Sequence, residues 1–480
     1  MLVQLSHFLA LAYATTAHAG NYSGSLEALF GPYVSPGTEM ASSSDANFSS
    51  IVGPRWSAWE TPDWSGAIKP AALTDLKQIV TIAAANHIPF IATNGGHGAK
   101  IGLSQFNGLN INLQNFNTVS VDPHTNRMTL GPGTTLGEMV TAVFAAGKEI
   151  QTGNSWCPGA IGVTLGGGIG MLMGTHGLMI DALKSVKILT GTGQTVTASE
   201  CENEDLFWAL RGAGQAFGIV TEATFEVYDL TNNGYVTEAN FYYEASANRS
   251  LWELLTTYDD DLPAKLALQS AMLYNGTSGE GYIWLAVWYI GTLEEAQPYI
   301  DQFAALNPFS TDINNLTQKE VYYQSITRGV CNRGNTLTAY TMGLNRTDPA
   351  TVEAHFADFV AFSKANPTYA GQSYIQYYSN KVASSKKDTV FPWRDVQAWW
   401  LMENVYLDDS IGPVATNWSE AQRDKFYAAS GFEEEHVYVN YALGDEGPEA
   451  WWSKENLPKL RELKAKWDPN NLFGTGYSLY

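Results

Sequence analysis

The chain has 480 residues, 45% of them hydrophobic and 16% charged, enough to bury a large interior and more than one core. Its 27 Lys+Arg stand against 48 Asp+Glu, a formal charge of −21, which excludes a nucleic-acid or anionic-membrane surface as partner because either would repel it. Disorder, collagen-like repeats and a multi-span membrane protein are excluded by the same composition, whereas a locally basic pocket stays compatible with it.

Residues 1–19 read as a signal peptide, with a short apolar run from Phe8 to Tyr13 and an Ala17-His18-Ala19 cleavage site before Gly20. The run is too short to span a bilayer, so the expected location is extracellular. Seven N-x-S/T sequons, at Asn21, Asn47, Asn248, Asn275, Asn315, Asn345 and Asn417, agree with secretion and predict N-glycans. After a Ser-rich entry, Leu73, Leu76, Ile79, Val80 and Ala83 recur at helical spacing, and Ile88 to Thr93 read as a buried strand. Val119–Val121 and Met128–Leu130 flank a turn at 122–126 and predict a hairpin. Thr135-x-x-Glu138 is a capping box for a helix that stops at Gly147. A Gly-rich stretch from about 151 to 230 contains one short helix after Asn203 and closes with a half-buried strand, Ile219–Val227.

Composition shifts at Thr231-Asn-Asn-Gly234. From there to about 430, strands joined by turns (Ala271–Tyr274 and Tyr282–Tyr289 about Asn275-Gly276) alternate with helices such as Leu293–Leu306. This predicts a second domain, an antiparallel sheet with helices on one face. A last helix, Glu455–Lys466, stops at Asp468-Pro469. The fold class expected is α+β. Three cysteines, Cys157, Cys201 and Cys331, are too few for a disulfide framework, and the odd one requires a role or a burial site. No metal-ligand set is read from the sequence.

Two Gly-rich loops carry the chemistry. One is Thr93-Asn94-Gly95-Gly96-His97-Gly98 at the end of a strand; the other runs from Gly153 through Cys157-Pro158, Gly162 and Gly166-Gly167-Gly168-Ile169-Gly170. Glycines let backbone N–H groups approach an anion, and a diphosphate is the usual guest. Neither loop has the spacing of a dinucleotide-binding fingerprint opening a helix, and no Gly-Lys-Ser/Thr follows either, so Rossmann and Walker sites are not indicated.

In order along the chain, these loops are followed by Thr175-His-Gly-Leu178, Asp205-Leu-Phe-Trp-Ala-Leu-Arg211-Gly-Ala-Gly214, Phe217-Gly-Ile-Val-Thr221, Tyr438-Val-Asn440-Tyr441 and Trp467-Asp-Pro-Asn-Asn471-Leu-Phe473. In this the chain resembles the vanillyl-alcohol-oxidase/p-cresol-methylhydroxylase flavoproteins, and among them the secreted berberine-bridge-enzyme-like oxidases. The resemblance implies a two-lobed PCMH-type FAD-binding domain over 20–230, a substrate domain over 231–430 and a return to the first domain over 431–480. It implies FAD held bicovalently, by His97 at the 8α-methyl carbon and by Cys157 at C6; imidazole and thiolate are nucleophilic enough near neutral pH to add to a flavin. It leaves Cys201 and Cys331 as a candidate pair. Noncovalent contacts implied are Thr93, Asn94, Gly95, Gly96 and Gly98 at the diphosphate, Gly162, Gly166, Gly167, Gly168 and Gly170, then Gly218, Ile219 and Val220, with Asn440 at the flavin edge.

Catalysis then needs a base for a substrate hydroxyl while hydride moves to the flavin. The resemblance points to Tyr438, with Tyr441 its neighbour on the same predicted strand, displaced to the other face by odd spacing. Ile169 replaces an aromatic that plant members often carry. His176 is a minor catalytic candidate, and the small Ala160 leaves room for O2 beside the flavin. The expected partners are therefore a small-molecule substrate and O2. Expected activity is oxidation of a secondary-metabolite alcohol or similar carbon centre with release of H2O2. Two alternatives stay open: an oligosaccharide oxidase forming a lactone, with Trp284, Trp288, Tyr374, Tyr377, Tyr378, Trp393, Trp399 and Trp400 as stacking platforms, and a noncatalytic secreted glycan binder.

Overall fold

A computed structural model describes residues 25–325, 331–386 and 388–480; the signal-peptide expectation and the Asn21 sequon lie outside the described residues. Strands β1 (Glu39–Ser42), β2 (Asp63–Lys69), β3 (Phe90–Thr93) and β4 (Asn107–Asn112) form a sheet in the order β1-β2-β4-β3. β2 and β3 run parallel to β4, and β1 antiparallel to β2. The crossover helix Leu73–Ala85 buries Leu76, Ile79, Val80 and Ala83 against this sheet, the three-and-four spacing that the sequence displays. β3 therefore ends where the His97 loop begins.

Five antiparallel strands make the second sheet: β5 (Val119–Asp122), β6 (Arg127–Leu130), β7 (Leu183–Thr190), β8 (Thr195–Ser199) and β9 (Gly218–Glu226), ordered β5-β6-β9-β7-β8. Asn126, at φ 54°, closes the predicted β5–β6 hairpin. Thr135 and Glu138 form the predicted capping box of helix Leu136–Ala145, which Gly147 terminates at φ 71°.

The third sheet comprises β10 (Tyr235–Glu244), β11 (Leu266–Asn275), β12 (Glu280–Tyr289), β13 (Ser310–Thr317), β14 (Thr336–Leu344), β15 (Gln372–Tyr378) and β16 (Ala398–Tyr406), seven antiparallel strands ordered β13-β10-β12-β11-β15-β16-β14. Side chains alternate between its faces. Leu268, Met272, Ile283, Leu285, Ile375, Trp400 and Met402 pack with residues of helices Asn248–Leu255, Leu293–Ala304, Pro349–Ala365 and Gly412–Ala429. Ala267, Ala271, Trp284, Trp288, Tyr374, Tyr378, Trp399 and Leu401 face the other way, into a core shared with the second sheet. Covering both faces is why the inner strands β11, β12, β15 and β16 are largely apolar, whereas the edge strand β13 is polar and mostly exposed.

The C-terminal helix, Leu457–Trp467, packs back on the first half of the chain: Lys464 Nζ donates to the Ala216 carbonyl at 2.6 Å and to Asp468 Oδ2 at 2.7 Å. Asp468 in turn accepts the N–H groups of Leu472 (2.9 Å) and Phe473 (3.0 Å), and Phe473 meets Phe90 of β3 edge-on at 5.6 Å. Asp181 and Arg394 join the second sheet's region to the loop before β16 through two hydrogen bonds of 2.8 and 3.0 Å. Among the described residues no helix is long and apolar enough to cross a membrane.

Candidate active site

A cavity of roughly 430 Å³ runs between the first two sheets and the inner face of the third. One end is walled by Thr93, Asn94, Gly95, Gly96, His97 and Gly98, by Gly162, and by Gly218, Ile219 and Val220. The two Gly loops touch there: a Cβ on Gly95 would stand 2.5 Å from the Gly159 nitrogen. Gly96 has φ +70°, and a Cβ on it would run into the Pro54 carbonyl, so only glycine lets the chain turn so tightly at this point. Arg55 and Lys100 also line the cavity, beside this loop, with Arg55 Nη1 donating to the Gly98 carbonyl at 2.7 Å. A chain of net charge −21 thus keeps two cations at the Gly-loop end, where an anion would bind. Asn94 Oδ1, Gln215 Oε1 and Arg55 Nε are buried on this wall with no hydrogen-bond partner among the described residues. Buried polar atoms ordinarily find partners, and these orphaned acceptors and donor suit a large polar group such as a nucleotide diphosphate. FAD therefore fits the residues present.

The His97 ring stacks on Trp56 at 5.1 Å, and the surrounding protein, with a lesser push from Arg333, lowers its pKa to about 3. His97 is neutral at physiological pH, with a nitrogen lone pair free to act as nucleophile. Cys157 is placed differently from expectation. Ser155 and Pro158 on either side line the cavity, but Cys157 itself does not. It is 4% exposed and disulfide-bonded to Cys331, with Cα atoms 5.8 Å apart. The Cys201–Cys331 pair is therefore corrected: Cys201 is exposed and unpaired. The same bond takes the sulfur that the resemblance assigns to flavin C6.

Gly166, Gly167, Gly168 and Gly170 do not line the cavity; Gly167 and Gly168 stand against Tyr438, and Gly166 against Asn440. The Tyr438 hydroxyl accepts the N–H groups of Gly168 (3.0 Å) and Ile169 (3.4 Å) and the Asn440 side-chain amide (2.8 Å). Gly168 makes this approach at φ +80°. Asn440 also donates to the Val163 carbonyl at 3.0 Å and lines the cavity. The predicted strand over 437–441 is instead a turn: the N–H groups of Tyr441 (2.8 Å) and Ala442 (3.1 Å) both go to the Tyr438 carbonyl. Tyr438 and Tyr441 consequently share one side, ring centroids 4.8 Å apart and edge to face. Burial pushes both phenols above their usual range, despite the N–H donors at Tyr438.

The opposite wall comes from the third sheet. Alternation turns Gln269 of β11, Tyr374 and Gln376 of β15 and Leu401 and Glu403 of β16 into the cavity. Gln376 donates to Gln269 at 3.1 Å, directly across the β11–β15 register. Glu403 lies opposite Ala339, another wall residue. Burial raises its carboxyl to about 7, and among the described residues it makes no hydrogen bond or ion pair. Sequence inspection missed it; the available signal was the one charged residue of the strand Ala398–Tyr406.

Other candidates lie off the cavity. His176 bonds Glu149 at 2.7 Å and stacks on Tyr228 at 4.0 Å, which makes it a structural histidine. Ala160 is fully buried and does not line the cavity, whereas Gly159 and Ile161 do. Of the eight aromatics considered as sugar platforms all are buried, and only Tyr374 reaches the cavity wall. Of the sequons among the described residues, Asn47, Asn275, Asn315, Asn345 and Asn417 are exposed, whereas Asn248 is engaged with Trp252 (2.6 Å) and the Glu353 carbonyl (3.2 Å).

A Gly-lined, cation-flanked cleft facing a sheet that carries one poised carboxyl is the site of a nucleotide-cofactor enzyme. Residues 64–199 match the FAD binding domain family, and residues 437–478 match the berberine and berberine-like family. FAD-linked oxidoreductase afoF of Emericella nidulans is 44% identical over 475 residues, 98% of each chain. BBE-like 1 of Physcomitrella patens superposes with TM-score 0.82 at 22% identity, covering 95% of this chain and 99% of that one. Glucooligosaccharide oxidase from Acremonium strictum, described with a 6-S-cysteinyl, 8α-N1-histidyl FAD, superposes with TM-score 0.76 at 20% identity over 92% and 97%. The chain belongs to the berberine-like FAD-linked oxidoreductases. It is an FAD-binding enzyme, which removes the noncatalytic glycan-binding alternative.

Proposed function

We propose that this enzyme oxidises an alcohol, or a similar carbon centre, of a compact hydroxylated secondary metabolite outside the cell and reduces O2 to H2O2. Bound FAD would supply the hydride acceptor and the route of electrons to O2. His97, neutral and stacked on Trp56, holds the cofactor through a ring nitrogen; Cys157 is available as a second tether, at C6, only as a thiol. Arg55 and the Gly95–Gly98 backbone hold the diphosphate. The observation that carries the proposal is Glu403. A base working near neutral pH needs a pKa near 7, and burial raises this carboxyl to about 7 on the wall facing the Gly loops. Glu403 takes the substrate hydroxyl proton, the Tyr438–Tyr441 pair packs against the substrate, and the Gln269–Gln376 amides orient its polar groups.

Extracellular location rests on the signal-peptide pattern and on the exposed sequons, which also carry the N-glycans of this proposal. An oligosaccharide substrate is favoured by the paired amides on the wall and disfavoured by the burial of the proposed stacking platforms. A peroxide-release screen across phenolic and polycyclic alcohols, cello-oligosaccharides and chito-oligosaccharides decides between them. Turnover confined to the sugars overturns the secondary-metabolite proposal, and turnover without peroxide overturns the oxidase.

A further inference from the structure

We infer that Cys331 competes with the flavin for the sulfur of Cys157. The oxidised chain then carries its cofactor on His97 alone, and a second tether forms only where the Cys157–Cys331 bond is absent. This rests on the FAD proposal above. Cys157 is buried and directed away from the cavity toward Cys331, although both Ser155 and Pro158 line the wall. The segment bearing Cys331 is also held at the site independently of the disulfide. Ala58 N–H donates to the Asn335 carbonyl (2.9 Å), and Ser57 Oγ both donates to the Leu337 carbonyl (2.7 Å) and accepts the Leu337 N–H (2.9 Å). These contacts fix the chain beside Trp56, on which His97 stacks, and bring Arg333 close enough to influence His97. Cys331 is thus a built-in neighbour of the proposed flavin-linking cysteine, 174 residues away in sequence.

The two fates consume the same sulfur. In one, both thiols lose their protons, the S–S bond forms, and two electrons pass to O2 or to the disulfide of an exchange partner, which becomes a dithiol. In the other, the Cys157 thiol proton and the hydrogen at flavin C6 leave as protons, an S–C bond forms, and two electrons pass to O2. Only a thiolate can attack, so a Cys157 already bonded to Cys331 cannot add to the ring.

The test is a peptide map of the full-length chain, made in an oxidising secretory host, blocked with N-ethylmaleimide and digested without reductant. The expected result is a Cys157–Cys331 cross-linked peptide, with flavin mass on the His97 peptide alone. In Cys331→Ser the flavin peptide should contain both His97 and Cys157. In His97→Ala all FAD should leave on acid precipitation, whereas His97→Ala/Cys331→Ser should retain it in the pellet. Flavin mass on Cys157 of the parent chain, with Cys331 carrying the maleimide, overturns the inference even if the variants fail to fold. Absence of flavin from both the peptides and the acid supernatant would instead defeat the FAD proposal itself.

Discussion

Lys100 Nζ donates to the carbonyls of Val439 (2.7 Å) and Ala442 (2.8 Å), joining the end of the His97 loop to the turn that carries Tyr438 and Tyr441. The ammonium also lies over the rings of Trp451 and Tyr477, at 5.3 and 5.2 Å. Cofactor loop and substrate turn, far apart in sequence, are thereby positioned by one side chain. Lys100→Met leaves both carbonyls buried without their donor, a loss of about 1–3 kcal/mol for each orphaned group. Thermal unfolding should show a lower midpoint, with kcat falling more than KM rises because the turn is misplaced. An unchanged midpoint and kcat would remove this role.

Tyr438→Phe deprives three N–H donors of their common acceptor. A destabilisation of about 1–3 kcal/mol is expected, measured by denaturant unfolding. Asn440→Ala, which removes only one of the three, should cost less than Tyr438→Phe.

Gly96→Ala puts a side chain where φ is +70° and the Pro54 carbonyl occupies the space. The strain amounts to about 1–3 kcal/mol, and the loop has to move away from the diphosphate position. The expected result is folded protein with reduced flavin content, read from the absorbance ratio of flavin to protein. Full flavin loading would contradict the assignment of this loop.

Asp181→Ala strands the Arg394 guanidinium, since both partners are almost fully buried (3% and 7% exposed). Breaking such a pair costs about 3–5 kcal/mol. Because the pair joins the second sheet's region to the loop before β16, unfolding should stay a single transition at a lower midpoint.

Glu403 links function to stability. Its folded pKa, about 7, lies above the ordinary 4.5, so the folded chain holds this proton more tightly than the unfolded one. The stabilisation is complete below pH 4.5 and is lost as pH rises through 7. Glu403→Gln should therefore raise the unfolding midpoint at pH 8 and leave it nearly unchanged at pH 4, read by calorimetry.

The elements that frame the Gly-loop end of the cavity were legible because their signals are local: Gly95-Gly96-His97, the Thr135–Glu138 capping box and the Asp468 turn each act within a few residues. Cys157, Gly166, Gly167, Gly168 and Gly170, expected at the cofactor, lie off the cavity wall. The substrate half is assembled from Gln269, Gln376 and Glu403 on separate strands of a sheet covered on both faces, where apolar runs carry no facing signal. The stretch 437–441 alternates like a strand, yet its N–H groups close a turn on the Tyr438 carbonyl, which reverses the expectation that Tyr438 and Tyr441 point apart. The partner of Cys157 lies 174 residues away, a contact no local pattern encodes.

The most direct measurement is the rate of anaerobic flavin reduction, as a function of pH, for the parent enzyme and Glu403→Gln with the best substrate from the peroxide screen. The parent rate should rise through pH 7 as Glu403 loses its proton. The variant should lose about 10²–10⁴-fold, with that rise abolished. A Glu403→Gln enzyme that reduces its flavin at the parent rate, with the same pH profile, would contradict the role of Glu403 as base.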